Sequence, residues 1–334
     1  HLGDLETGPA GDAYRQAVDD VARLHEVRPR LAVRDAHPDY ASSHAAEESG
    51  AAVAVVQHHV AHVAACMAEH DLAPPVLGVA WDGTGYGPDG RVWGGEFIRI
   101  TETGWQRVAY LRPFRLPGGE AAAREPRRSA LGLLSEVYGR EAFGMTGLAP
   151  VASFATGELA VLRTALARGL NAPWTTSAGR LFDGFAALCG LAQRASYEGE
   201  AASALEWAAE GSRTGRSYDL PVIDRGTAPL LVDWGPALSA TVSDLADGVP
   251  PAAVSEALHN GLARAIATVA VHLEARQIVL TGGCFQNRCL TEATVAGLRA
   301  ANREVFWHGR VPPNDGGIAV GQAAWAAWHP MREA

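Results

Sequence analysis

The sequence predicts a mixed α/β protein of two lobes with a ligand cleft between them. Short apolar, β-branched runs alternate with amphipathic helical stretches, and two of those runs end in glycine-rich loops. A chain of 334 residues exceeds the needs of one simple core and suits two lobes of ordinary size.

The elements follow in order. Residues 11–30 read as an amphipathic helix, with Val18, Val21 and Leu24 at helical spacing. Residues 31–33 form a short strand, followed by a loop with Asp35, His37 and Pro38. Residues 40–49 suggest a helix and 52–56 a buried strand. Residues 57–70 form a helix, which Pro74-Pro75 breaks. Residues 76–81 are a strand ending in the turn-rich loop Asp82-Gly83-Thr84-Gly85-Tyr86-Gly87. Residues 92–100 pair with it as a hairpin, and 105–111 add a third strand. The loop 117–126, with Gly118, Gly119 and Pro126, divides an N-terminal lobe, 1–117, from a C-terminal lobe, 118–334. Residues 127–210 are mainly helical, and 211–250 are rich in Gly, Pro, Asp and Ser. A long helix over 252–275 precedes a strand at 277–281, a helix at 290–302 and a strand at 305–307. A closing helix, 316–328, returns to the cleft.

Composition excludes several functions. The net charge is −9, and all 28 basic residues are Arg. No basic tract is present, beyond a local group of Arg124, Arg127 and Arg128, so a nucleic acid partner is not expected. No apolar run approaches the ~20 residues of a membrane span. Cys66, Cys189, Cys284 and Cys289 form no CxxC pair, which argues against a zinc ribbon or a disulfide framework. A reducing cytoplasm is the expected location. The chain opens on His1 in sequence that reads as mid-domain, which suggests a piece of a longer protein.

The densest chemistry lies in Gln57-His58-His59-Val60-Ala61-His62. His58 and His62 stand four apart, so a helix puts both imidazoles on one face. That spacing suits two ligands of one metal ion, without naming the metal; ordinary helix residues are the alternative. A third ligand is expected from an acid, and Asp315 in Pro312-Pro313-Asn314-Asp315-Gly316-Gly317 is the candidate, with a helix cap as its other role. His59 points elsewhere and is a candidate to assist proton removal. Asp82, at a strand end before glycines, can bind a metal or a metal-bound water, or simply fix a turn.

The strand 278–281 runs into Gly282-Gly283-Cys284-Phe285-Gln286-Asn287. Glycines there let backbone N–H groups approach a phosphate, although neither a Walker loop nor GxGxxG is present; a plain tight turn is the alternative. Gly179-Arg180-Leu181-Phe182-Asp183 and Tyr197-Glu198-Gly199-Glu200 offer acids that could accept hydrogen bonds from ribose hydroxyls. Glu198 and Glu200 equally suit the start of a helix. Cys284 has no marked base beside it and reads as a buried or loop thiol.

Together these strings resemble the HypF carbamoyltransferases of NiFe-hydrogenase maturation. The resemblance rests on HLGDLE at 1–6, QHHVAH at 57–62, and DGTGYG at 82–87 with Trp93-Gly94-Gly95-Glu96. YEGEAA at 197–202, GGCFQN at 282–287 and PPNDGGIAVGQ at 312–322 complete it. It covers essentially the whole chain and points to the C-terminal domain of that family. It implies an actin/hexokinase-like fold related to the TsaD enzymes of tRNA modification. It also implies acylphosphatase-like, zinc-finger and YrdC-like domains upstream, the last of which makes carbamoyl-adenylate from carbamoyl phosphate and ATP. The implied activity is transfer of the carbamoyl group to the C-terminal cysteine thiol of HypE, a source of the hydrogenase cyanide ligands. By position, His58, His62 and Asp315 match the metal ligands, iron or zinc, with Mg also compatible. Asp82 matches the acid near metal and carbamoyl group, Asp183 and Glu198 match ribose contacts, and Gly282, Gly283 and Asn287 match the nucleotide loop that holds the AMP moiety. Against the family pattern, the sequence is expected to lack the upstream domains and the first strand pair of the N-terminal lobe. Two rival readings remain: an O-carbamoyltransferase acting on a small-molecule hydroxyl, and a non-catalytic nucleotide-binding module that docks HypE.

Overall fold

A computed structural model of the chain describes residues 5, 7–226 and 229–330. The HLGDLE string therefore lies almost wholly outside the described residues. The chain starts with helix α1 (Gly8–Leu24), whose N-terminus is capped by the Thr7 hydroxyl. Strands β1 (Leu31–Asp35) and β2 (Ala52–Val56) flank α2 (Ala41–Glu48) and pair in parallel as a small separate sheet. Helix α3 (His58–Glu69) follows directly, capped by the Gln57 side chain on Val60 N.

A meander of β3 (Val76–Tyr86), β4 (Val92–Thr101) and β5 (Gly104–Leu111) comes next, followed by β6 (Phe114–Arg115). Four helices, α4 (Ala121–Arg124), α5 (Pro126–Tyr138), α6 (Ala149–Ala152) and α7 (Thr156–Arg168), lead to β7 (Trp174–Thr175). Then come α8 (Ala178–Leu188), α9 (Glu200–Ala209), β8 (Val222–Ile223), β9 (Leu230–Val232), α10 (Gly235–Ala246) and α11 (Pro251–His272). The chain ends with β10 (Gln277–Thr281), α12 (Arg288–Ala300), β11 (Glu304–Trp307) and α13 (Ile318–Trp328).

The main sheet runs β11-β10-β3-β4-β5-β9-β8. Its centre is β3, paired in parallel with β10 and antiparallel with β4. Strands from both sides of residue 117 thus share one sheet. Side chains on β3 alternate faces, as a strand requires. Leu77, Val79 and Trp81 enter a core with α5, α8 and α11, whereas Val76 and Ala80 enter a second core with α3 and α13. The sheet is therefore sandwiched between helices, and the middle of β10, Ile278-Val279-Leu280, is apolar and buried.

Three expectations need correction. The Asp82–Tyr86 string is not a free loop. It continues β3 through a bulge between Trp81 and Gly85, and the reversal comes at residues 87–91. The Gly/Pro-rich stretch 211–250 contains β9, which pairs with β5 and extends the main sheet. The helix expected over 290–302 lies two residues earlier, Arg288–Ala300, behind a 3₁₀ turn over Gly283–Gln286.

Candidate metal centre and cleft

Four side chains from three segments, α3, the bulge of β3 and the loop before α13, meet beside the end of β10. His58 Nε2 and His62 Nε2 lie 3.3 and 3.0 Å from Asp82 Oδ2, and each lies 3.6 Å from Asp315 Oδ1. One donor atom from each residue falls within 4.8 Å of the other three. The histidines are buried on α3, on one helical face as their spacing predicts. Asp315 reaches in from the loop before α13, with 61% of its side chain exposed. Asn314, not Asp315, caps that turn by accepting from Gly316 N.

The surroundings fix each member. Asp35, at the end of β1, accepts from His58 Nδ1 at 2.9 Å, which turns Nε2 toward the cluster. Asp82 Oδ1 accepts from Gly83 N and Gly283 N. Ser177 caps α8 and bonds the carbonyls of Asp82 and Gly83 through its hydroxyl. Burial opposes a charged imidazole at His58, yet Asp35 and Asp82 hold its pKa up at about 10. Burial is likewise overcome at His62, whose pKa Asp315 and Asp82 raise. Burial disfavours the charged Asp82, but the two histidines keep it ionised well below the usual carboxylate range. Two imidazoles and two carboxylates form a compact N/O donor set that fits a divalent transition metal such as zinc or iron.

A cavity of about 460 Å³ opens from this cluster. Asp82, Asp315, Gly283, Arg180, Asp183 and Glu198 line it, together with Cys284 and Gln286. The volume is that of a small-molecule cleft. Asp183 is 3% exposed. Burial raises its pKa to about 6, against the neighbouring Arg180 and with help from Glu198. Its Oδ2 lies 3.0 Å from Arg180 Nε, but the approach is too poorly aligned for a hydrogen bond. Burial pushes the Cys284 thiol well up, so it is no ready nucleophile.

Not every expected residue faces the cavity. Asn287 caps α12 through Leu290 N and gives its amide to His259 Nε2 at 2.8 Å. That ring's Nδ1 donates to Ser255 O, so Nε2 is the acceptor, and the Asn287 side chain ties α12 to α11 and does not line the cavity. Gly282 has φ of 93°, its N–H bonds Pro313 O, and a Cβ there would lie 2.2 Å from Trp81 O. It permits the approach of β10 to β3 and does not line the cavity. Gly283 does, although its N–H serves Asp82. Glu200 accepts from Ser196 at the start of α9 and leaves Glu198 to the cavity.

His59 also changes role. Gln57 Oε1 accepts from Val60 N, so Gln57 Nε2 donates to Tyr86 O and to His59 Nδ1. The ring is fully buried, and burial together with His58 and His62 keeps it neutral. With Nδ1 occupied as an acceptor, Nε2 carries the proton. His59 is therefore a donor, not the expected proton acceptor, and among the described residues Nε2–H has no partner. The sequence did not single out Asp35, Gln57 or Ser177. Their only local signs are an acid at a strand end and cap residues before helices.

A sandwiched α/β sheet with a His₂Asp₂ cluster at a cleft defines a ligand-binding domain with a candidate metal centre. Residues 1–69 match the family profile of the HypF Kae1-like domain, and residues 78–322 that of the second subdomain of the carbamoyltransferase Kae1-like domain. The chain belongs to the HypF carbamoyltransferase family, as its Kae1-like domain. It is 39% identical to carbamoyltransferase HypF of Synechocystis sp. over 96% of this chain, and 42% identical to that of Rhodobacter capsulatus over 98%. It spans only 43% of the length of each. A HypF homologue of Cupriavidus necator is 35% identical over 98% of this chain and 85% of its own length. The crystal structure of full-length HypF in a phosphate- and nucleotide-bound form superposes with a TM-score of 0.91 at 31% identity, covering all of this chain and 43% of that one. Among the described residues no helix is long and apolar enough to cross a membrane.

Proposed function

We propose that this domain transfers a carbamoyl group from carbamoyl-adenylate to the C-terminal cysteine thiol of a HypE-like acceptor. The carrying observation is the His58, His62, Asp82 and Asp315 cluster, two of whose members line a cavity that also bears Arg180, Asp183 and Glu198. In this reading His58, His62 and Asp315 hold the metal, and Asp82, touching both imidazoles, joins them. The metal supplies Lewis acidity toward a carbonyl or phosphate oxygen. Asp183 and Glu198 accept from the ribose hydroxyls, while Arg180 balances their charge. Gly283 leaves space for the ligand between strand ends. Fixed placement of the AMP part presents the carbamoyl carbon to the incoming thiolate. A sulfur–carbon bond then forms, the carbon–oxygen bond to AMP breaks, and AMP leaves with that electron pair. Family membership and the nucleotide-bound relative support this reading. A YrdC-like domain upstream would supply the adenylate, as in longer HypF proteins.

The test is to mix the chain with carbamoyl-adenylate and a HypE-like protein, then find the product by mass spectrometry. A gain of about 43 Da on the C-terminal cysteine is expected, a carbamoyl group in place of the thiol hydrogen. His62→Ala should lose metal content and transfer together. Modification of a sugar hydroxyl instead would favour O-carbamoylation, and nucleotide binding without metal or turnover would leave a docking module.

A further inference from the structure

We infer that Glu69 is a positioning residue for the metal-ligand cluster: its carboxylate ties the loop that carries Asp315 to the helix that carries His58 and His62. The inference rests on reading those residues as a metal site.

Asp315 is the least constrained of the four. Its side chain is mostly exposed and stands 3.6 Å from each imidazole, so its position depends on the backbone of its loop. Downstream, α13 holds that loop against α3: a Cβ on Gly321 would lie 1.8 Å from Ala61 O. Upstream, Glu69 sits at the last position of α3, two helical turns beyond His62. Its Oε1 accepts from Gly309 N at 3.0 Å and Arg310 N at 2.5 Å, and its Oε2 from Val311 N at 3.4 Å. Oε2 also meets His308 Nδ1 at 3.2 Å. The other nitrogen of that ring is 2.8 Å from the Thr281 hydroxyl, which is itself 3.1 Å from His62 O. Thr281 immediately precedes Gly282, whose N–H bonds Pro313 O. One carboxylate therefore locks residues 308–311 to the metal helix, and the end of β10 locks residue 313.

The chemistry requires an anion with two acceptor oxygens. Three successive backbone N–H groups, all donors, converge on it, with the His308 ring beside them. An amide would offer one acceptor oxygen and set its own N–H₂ against the remaining donors. The side chain is 5% exposed, so water cannot freely replace it.

A general stabilising role is separable, because the fold contains a matched control. Glu256 takes four comparable hydrogen bonds, from Ser212 Oγ, Thr214 N, Thr214 Oγ1 and Gly215 N, in a loop that carries no proposed ligand. The test compares wild type, Glu69→Ala, Glu69→Gln and Glu256→Ala in the full chain. Zn²⁺ affinity is read by chelator competition, coordination by the visible absorption of Co²⁺, and fold by thermal unfolding of the metal-stripped protein. Loss of an outer support of this kind weakens metal binding about 10- to 100-fold. We expect that loss in Glu69→Ala, with an altered Co²⁺ spectrum. Glu69→Gln should fall between, and Glu256→Ala should bind as wild type while unfolding at lower temperature. Wild-type affinity in Glu69→Ala, or an equal loss in Glu256→Ala, overturns the inference. If Glu69→Ala does not fold, wild-type affinity in Glu69→Gln overturns it equally. A wild-type chain that binds neither ion would instead remove the metal-site reading on which it rests.

Discussion

Replacing Asp183 by Asn should make the folded chain more stable and the cleft less useful, and the first effect should depend on pH. The carboxyl is 3% exposed, and burial raises its pKa from 3.8 to about 6. Between those values the folded chain keeps a proton that the unfolded chain has released. Stability therefore falls as pH rises through that window, and above about pH 6 the whole penalty is present. Two pH units at about 1.4 kcal/mol each give about 3 kcal/mol. Asn carries no charge at any pH in this range, so Asp183→Asn should gain up to about 3 kcal/mol at pH 8 and nearly nothing at pH 4. Urea unfolding of both proteins at a series of pH values measures this as the difference in midpoint multiplied by the slope. An offset that does not change with pH, or a loss of stability at pH 8, would refute the reasoning. The carboxylate is retained against its own cost, which is the pattern of a functional group. Nucleotide affinity of the same variant should accordingly fall by roughly tenfold or more, the worth of a hydrogen bond to a charged acceptor, as calorimetry with AMP would show.

Two further substitutions separate framework from cleft. Asn287→Ala removes a helix cap and the partner of His259, so it should cost about 1–3 kcal/mol of stability yet leave nucleotide affinity within about twofold, a change too small to represent a lost ligand contact; a large loss of affinity would restore Asn287 to the binding site. Gly321→Val places a side chain on Ala61 O and must push α13 off α3, lowering stability by about 3 kcal/mol or more, and an unchanged melting temperature would show that the two helices are not so closely packed.

The fold was legible where the sequence pattern is local. The runs at 52–56 and 277–281 became β2 and β10 with unchanged bounds, as short β-branched runs suit strands; β10 is buried, but β2, expected to be buried, is largely half-buried or exposed because it pairs only with β1 in a separate sheet. The pattern failed where pairing is decided at a distance. Leu230–Val232 is a three-residue strand in a stretch that reads as loop, and only its register against Ala109–Leu111 makes it part of the sheet. Glycines at 83 and 85 suggested a free loop, yet the β4 partner holds the Asp82–Tyr86 segment in an irregular strand.

The site divides along the same line, and its chemistry explains why. Helical spacing alone aligns His58 with His62, and an acid directly before glycine marks Asp82 and Asp315. Those four residues could therefore be nominated from short strings. What each nitrogen does depends on partners far away in sequence. Asp35 turns His58 toward the cluster from 23 positions upstream. For His59 the decisive contact is local but conditional: Gln57 caps the helix with its oxygen, which forces its amide nitrogen onto the ring and converts an expected base into a donor. The double glycine shows the same limit. Its pattern suggested a phosphate cradle, but one N–H serves Pro313 and the other Asp82, so both groups are spent on the fold, one of them in fixing the Asp82 carboxylate. Composition could nominate the donors of this centre, whereas their roles follow from which backbone groups the fold has already spent.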